Sequence, residues 1–320
     1  MATAAIEKSD HRLQAKASLG TRLRAWWEGV DPAALSHRSA APRAEAERST
    51  PAPAKPPVWA TPRIQILQSL WGDGFSYPGG AELSLWLAGP YTLSSTSMVA
   101  ELGAGLGGVG RTLHQQFGCR TEGFERDPEL ARGGAGYSIA AGLGDAVTVA
   151  PFDPEDVQLG KGAYDCILSR ETLFGVADKA GFFKAVDRGL KRHGHFLYTD
   201  FVRIGNDDSR GGSYRVWAEG EPFPAQPWSL TEHRAACGAQ KFDLRLMEDI
   251  TGVMRGYVVR ALAELMEREE SLRRTGPAEA AVIAAEVGLW TRRLAALHAG
   301  EIGLCRFHAV KLGLNLLGDW

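Results

Sequence analysis

The sequence predicts an α/β protein: a doubly wound, mostly parallel sheet with an antiparallel last strand and a helical cap inserted before that strand. Three observations carry the prediction. From Ser97 to Phe201, short apolar runs alternate with amphipathic stretches, the β–α–β rhythm that builds a parallel sheet between helices. Residues 103–108 read GAGLGG, a glycine turn at the junction of the first such strand and helix. A final strand-like segment, "IGLCRFHAVKL", returns only after a long, mainly helical stretch.

The elements follow in order. Residues 1–58 are rich in Pro, Ala and charge and predict a disordered or loosely helical N-terminal arm, with Trp26-Trp27 in a short amphipathic piece. "TPRIQILQSLW" predicts a helix, with Thr61 as N-cap and Pro62 at its first position. "GDGFSYPGG" reads as an irregular bend. "SMVAELG" and "CRTEGFE" are strands, separated by the helix "GGVGRTLHQQFG" that Gly118 ends. "RDPELARGGAGYS" is a helix with Pro128 in its first turn, and "AVTVAPFD" and "YDCILSR" are strands. "DKAGFFKAVDRGLKRHG" reads as one helix, residues 178–194, leading to the strand "HFLYTDF". Ser229 and Glu232 form a capping box for "WSLTEHRAACG", ahead of the strand "FDLRLMED". Two long helices, 250–274 and 277–299, break at Gly276-Pro277.

Composition narrows the function. The chain has 320 residues, 44% hydrophobic and 23% charged, with a formal net charge of −2, so no basic field points to nucleic acid or an anionic membrane. No apolar run of about 18 residues predicts a membrane span. The N-terminus lacks the apolar core of a secretory signal. Cys119, Cys166, Cys237 and Cys305 form no CxxC pair, and His114, His193 and His195 lack ligand spacing, so no metal is expected and a cytoplasmic location is. The expected partner is a small-molecule substrate, with oligomeric state left open.

The glycine turn can be read in two ways. Gly103-x-Gly105-x-x-Gly108 matches the dinucleotide fingerprint, in which a pyrophosphate sits on a helix N-terminus. Read with Glu101, the same stretch is E-x-G-x-G-x-G, through Gly103, Gly105 and Gly107. A carboxylate two residues before the turn repels a diphosphate and suits a cationic ligand. Glu125, 20 residues after Gly105, is placed to grip ribose hydroxyls under either reading.

These residues resemble the first motifs of class I S-adenosylmethionine-dependent methyltransferases, and within them the small-molecule N-methyltransferases of the phosphoethanolamine and sarcosine/dimethylglycine type. The resemblance spans roughly residues 62–312. It implies a Rossmann-like methyltransferase sheet with S-adenosylmethionine held by Glu101, Gly103, Gly105, Gly107, Glu125, Phe152, Asp153 and Ser169. Within that group, Asp153 would hold the adenine amino group, with Phe152 beside the ring. "GDGFSYPGG" looks like the family's lid, giving a lid over 59–96, a methyltransferase domain over 97–320 and a cap insertion at about 203–300.

The departures from the pattern matter as much. Aligned on Gly79-Gly80, Phe75 stands where the lid tyrosine is expected, with Tyr77 two residues on. Gly175 stands where a histidine follows the fourth strand, Phe201 follows "YTD", and His298 takes the basic tail position. The expected catalytic groups are Tyr77 and Glu171. The expected substrate-binding residues are Trp71, Phe75, Arg170, Tyr214 and Trp217, with Arg170 pairing either a substrate carboxylate or Glu171 or Asp178. The function so implied is methyl transfer to a small polar metabolite, an amine nitrogen first. S-methylation of a small carboxylated thioether, an NAD(P)-dependent oxidoreductase and a catalytically silent cofactor-binding scaffold stand as alternatives.

Overall fold

The computed structural model describes residues 59–205, 211–267 and 276–313. The arm over 1–58, its Trp26-Trp27 pair and the far end of the 250–274 helix lie outside the described residues.

Helix α1 (Pro62–Trp71) starts where Thr61 accepts the Ile64 N–H at 3.3 Å and stops at Gly72, whose φ is 101°. It buries Ile64, Leu67, Leu70 and Trp71. After the glycine bend comes α2 (Gly80–Ala88), a short helix that the sequence pattern did not announce. Its N-cap is Gly79, so no side chain marks the start, and only Leu83, Ser84, Leu87 and Ala88 are buried.

The α/β body follows as β1 (Met98–Leu102), α3 (Gly108–Phe117), β2 (Arg120–Glu125), α4 (Pro128–Ala140), β3 (Val147–Pro151) and β4 (Tyr164–Arg170). Then come α5 (Lys179–Gly189), β5 (Leu190–Arg203), α6 (Gly212–Glu219), α7 (Leu230–Ala239), β6 (Phe242–Asp249), α8 (Thr251–Glu267), α9 (Pro277–His298) and β7 (Ile302–Lys311). Among the described residues, seven strands form one sheet in the order β3-β2-β1-β4-β5-β7-β6. Strands β1 to β5 pair parallel. β7 runs antiparallel between β5 and β6, as the sequence predicts for the last strand.

Helix α5 is shorter than expected. It ends at Gly189, and Leu190 already pairs with Tyr164 of β4. The sequence pattern runs the helix on to Gly194, but Lys191 bonds Asp165 at 2.7 Å and His193 takes a left-handed φ of 62°. Strand pairing wins over helical propensity there.

Apolar clusters lie on both sheet faces. One is built on Phe182, Phe183, Val186 and Phe196, and another on Val109, Leu113, Val99 and Leu168. A third joins α1, α6, α8 and α9 through Trp71, Trp217, Trp290, Phe174 and Phe201.

Candidate active site

The order of the sheet reverses between β1 and β4, and a doubly wound sheet opens its ligand crevice at the carboxyl ends of strands beside such a reversal. The glycine turn lies there. Gly103 and Ala104 both donate N–H to the Phe124 carbonyl, at 2.8 and 3.0 Å, tying the turn to β2. Gly103, Gly105 and Gly107 all have positive φ, and a Cβ on Gly103 would come within 2.4 Å of the Thr172 hydroxyl.

The lid bend packs onto this turn. A Cβ on Gly105 would meet the Ser76 hydroxyl at 2.1 Å, and one on Gly108 would meet the Phe75 ring at 2.6 Å. Arg111 fixes the bend from below, donating to the Gly74 carbonyl at 2.9 Å. At the mouth, Arg63 of α1 bonds Asp127 at 2.6 Å and Glu129 at 2.8 Å, clasping the lid helix to α4.

Glu125 ends β2 with both carboxylate oxygens oriented by amides. Oε2 accepts the Gly105 N–H at 2.7 Å and Oε1 the Asp127 N–H at 2.8 Å. Burial pushes its pKa up, and those two N–H groups oppose the rise. Glu101 lies deeper, buried at the end of β1. Burial raises its pKa to about 8, against the pull of Arg170, the Gly110 amide and Arg111. It is absent from the walls of the cavities described below, so its influence on a ligand passes through the turn and these two arginines.

Residue Glu171, just after β4, has a φ of 45°, a left-handed conformation that costs a non-glycine residue. Thr199 maintains it, accepting the Glu171 N–H at 2.9 Å and donating its hydroxyl to Oε1 at 2.7 Å. Oε2 is buried and has no hydrogen-bond partner. Arg170 donates to the Pro78 carbonyl at 3.1 Å, its Nε lies 4.0 Å from Glu171 Oε2, and that Nε makes no hydrogen bond. Of the two intramolecular partners expected for Arg170, the structure gives Glu171; Asp178 instead caps α5 through the Gly181 N–H at 2.8 Å.

Three adjoining spaces make up the crevice. A narrow one, of about 20 Å³, is walled by Tyr77, Gly103, Glu125, Phe152, Arg170 and Glu171. A chamber of about 390 Å³ opens from Glu125 and Tyr77 toward Leu67, Glu286, Trp290 and Arg293. A second open space, of about 330 Å³, holds Phe152, Asp153 and Pro154. Arg126 and Phe223 border all three.

The expected site residues therefore divide. Gly103, Glu125, Phe152, Asp153, Tyr77, Arg170 and Glu171 come together around the crevice. Ser169 does not: it lines a small apolar void with Ser84, Leu87 and Val109, its hydroxyl without a partner. Tyr214 and Trp217 are core residues rather than a roof, Trp217 stacked on Phe174 at 5.9 Å and edge-on to Tyr214. Phe75 packs on α3, so the lid aromatic that faces the chamber is Tyr77. Trp71 touches Trp290 at 5.1 Å and borders a different groove, beside Tyr257 and Arg260. His298 meets Arg255 on the surface.

The basic group that faces the chamber is Arg293, which sequence reasoning missed. It makes a two-pronged bond to Glu221, at 2.8 and 2.7 Å, with both side chains buried. Residues 289–294 read LWTRRL, and helical phase alone does not decide between Arg292 and Arg293. Glu286 was missed as well. Its Oε1 accepts the indole N–H groups of Trp290 and Trp71, at 3.0 and 3.3 Å. Among the described residues no cluster of three or more His, Cys, Asp or Glu side chains could hold a metal, and no helix is long and apolar enough to cross a membrane.

Comparison with known proteins agrees with this geometry. Residues 100–198 match the family model described as a methyltransferase domain, and the chain carries that domain. It is 26% identical over 168 residues to the sterol 24-C-methyltransferase of Eremothecium gossypii, covering 51% of this chain and 45% of that protein. It is 28% identical over 121 residues to the glycine/sarcosine/dimethylglycine N-methyltransferase of Actinopolyspora halophila, covering 36% of this chain and 20% of that one. The chain thus spans less than half the length of these curated relatives. Its fold matches phosphoethanolamine N-methyltransferase 2 of Haemonchus contortus, solved with phosphomonomethylethanolamine and S-adenosylhomocysteine, at a TM-score of 0.70 and 16% identity. That match covers 80% of this chain and 59% of that chain and shows a shared methyltransferase fold.

The crevice fits S-adenosylmethionine, the methyl donor of this fold family. Gly103 stands on the narrow space, Glu125 presents oriented oxygens to a diol, and the buried Arg170 Nε and Glu171 Oε2, 4.0 Å apart, make no hydrogen bond there.

Proposed function

We propose that the chain is an S-adenosylmethionine-dependent methyltransferase acting on a small molecule, with an amine nitrogen as the acceptor. The observation that carries the reading is the buried Glu171 Oε2, without a hydrogen bond and 4.0 Å from Arg170 Nε, held in a strained backbone where the narrow space borders Tyr77. S-Adenosylmethionine, when bound, supplies a methyl group on a sulfonium, open to in-line displacement. For such a displacement, positioning supplies much of the acceleration.

The chain's own residues divide that task. Glu125 grips the ribose, and Phe152 and Asp153 receive the adenine. Burial raises the Tyr77 pKa far above its usual value, with the Glu125 charge adding to the rise. At neutral pH that phenol is therefore a donor and a positioning group, not a base. Glu171 is the group left to take a proton from an ammonium acceptor. Arg293 is neutralised by Glu221, so its guanidinium is not free to pair a phosphate. Glu286 and Trp290 instead give a carboxylate and an aromatic face suited to a positively charged or zwitterionic amine. The apolar wall of Leu67, Leu130 and Leu289 supports a second reading, an uncharged thioether, which needs no base.

The test is release of S-adenosylhomocysteine from S-adenosylmethionine with a panel of amines, phosphorylated amines and thioethers. We expect turnover with amines lacking phosphate, and a loss of roughly a hundredfold in kcat for Glu171→Gln, the range of a general base. Turnover with thioethers alone, unaffected by Glu171→Gln, selects the second reading. No turnover together with no cofactor binding by calorimetry overturns both.

A further inference from the structure

The cap contributes an aromatic ring to the crevice that no motif announces. Phe223 lies in the segment Glu221-Pro222-Phe223-Pro224-Ala225-Gln226-Pro227, between α6 and α7. Three prolines restrict its backbone to a few conformations. Both ends are anchored: Glu221 by its buried bond to Arg293, and Gln226 by its N–H to the Phe174 carbonyl at 2.6 Å. The ring is half-buried, tilts on Phe174 at 5.1 Å, and carries the Arg126 guanidinium 4.2 Å above its face.

Gly175 is the reason the ring can sit there. A Cβ at that position would lie 2.3 Å from the Phe223 ring and 3.0 Å from Arg126 Nη1. The Gly175 carbonyl also accepts from Arg126 Nη2, at 3.3 Å. The position where the sequence departs from its resembled family is thus filled by the Phe223 ring from the cap and the Arg126 guanidinium from the turn after β2, stacked together. That stack borders both the spaces that hold Glu125 and the open space of Phe152 and Asp153. An adenosine with its ribose on Glu125 and its base on Asp153 has to lie against it.

We propose that the Arg126–Phe223 stack is the cap-side wall of the adenine subsite, facing Phe152, so that the cap completes the cofactor site. The proposal rests on the S-adenosylmethionine reading above. Delocalised planar groups suit this task, because a nucleobase stacks on an aromatic ring or a guanidinium plane whatever its edge pattern.

The experiment is calorimetric titration of wild type, Phe223→Ala, Phe223→Tyr, Arg126→Ala and the Phe223→Ala/Arg126→Ala pair with two probes: S-adenosylhomocysteine, and adenosine, which lacks the amino-acid tail. Phe223→Ala is expected to weaken both probes by the same factor, about tenfold, as loss of base stacking does. Phe223→Tyr should bind like wild type. The double variant should lose less than the product of the two single losses, because the residues act as one unit. Thermal melts of the unliganded variants show whether each is folded. If Phe223→Ala does not fold, Arg126→Ala and Phe223→Tyr still decide the question by the same factors. Wild-type affinity for both probes in Phe223→Ala and Arg126→Ala overturns the proposal while leaving the cofactor reading intact. A loss for S-adenosylhomocysteine but not for adenosine overturns it too, since the wall would then serve the tail. Failure of the wild-type chain to bind either probe overturns the cofactor reading itself.

Discussion

Removing Glu221 should be among the most damaging single changes in the cap. Glu221 accepts two hydrogen bonds from Arg293, and their side chains are 0% and 4% exposed. Arg293 also lies 4.6 Å from the Trp290 ring and 5.5 Å from that of Phe201, so its charge sits among aromatic faces rather than water. Glu221→Ala leaves that guanidinium buried and uncompensated, a loss of about 3–5 kcal/mol. Replacing both partners, as Glu221→Leu with Arg293→Met, removes the orphaned charge and should cost clearly less than the single change. Urea denaturation followed by tryptophan fluorescence measures both, provided the slope with denaturant is unchanged. A Glu221→Ala loss below about 1 kcal/mol, the size of an exposed pair, would refute the reasoning. So would a double variant that loses as much as the single.

Two further outcomes follow from the carboxylates at the glycine turn. In the folded chain Glu101 keeps its proton up to about pH 8, whereas its ordinary value is 4.5, so folding stability should fall as pH rises between those values. Glu101→Gln should flatten that slope in urea titrations at about pH 5 and about pH 9; an unchanged slope would mean that Glu101 is ionised in the native state. Glu125→Ala should weaken S-adenosylhomocysteine binding by about tenfold to a hundredfold, the loss of a charge-assisted hydrogen bond, and wild-type affinity by calorimetry would remove Glu125 from the site.

What could be read from the sequence was what depends on local order. Strand–helix alternation gave the sheet, and Glu101, the glycines and Glu125 could be placed because each sits at a strand end whose geometry the pattern dictates. Asp153 and Glu171 followed the same logic. The misassigned residues depend on long-range packing. Tyr214 and Trp217 carry the composition of a pocket roof, yet aromatic rings bury themselves wherever a core accepts them, and α6 turns Trp217 onto Phe174 and Phe201 with Tyr214 packed on Trp217. Ser169 precedes Arg170 in β4, and its hydroxyl lies in the void beneath α2 and α3. Arg293, Glu286 and Phe223 reach the crevice from segments far away in sequence, and no local period encodes which face of α9, or which residue of a proline-rich loop, looks inward. Tyr77 and Phe75 differ by two positions in a bend without a period, so only the packing of Phe75 against Gly108 decides which of them faces the chamber.

The close seating of the lid on the glycine turn limits how this protein can be altered. Gly105 is bounded by Ser76 and by the Tyr77 ring, and Gly108 by Phe75 and the Gly74 carbonyl. Each of these glycines therefore answers to two neighbours at once. A bulkier lid residue cannot be accommodated by yielding at the turn, nor a bulkier turn residue by yielding in the lid. Redesign of the acceptor range has more freedom at Leu289, on helix α9, where a change of size meets open cavity rather than a second constraint.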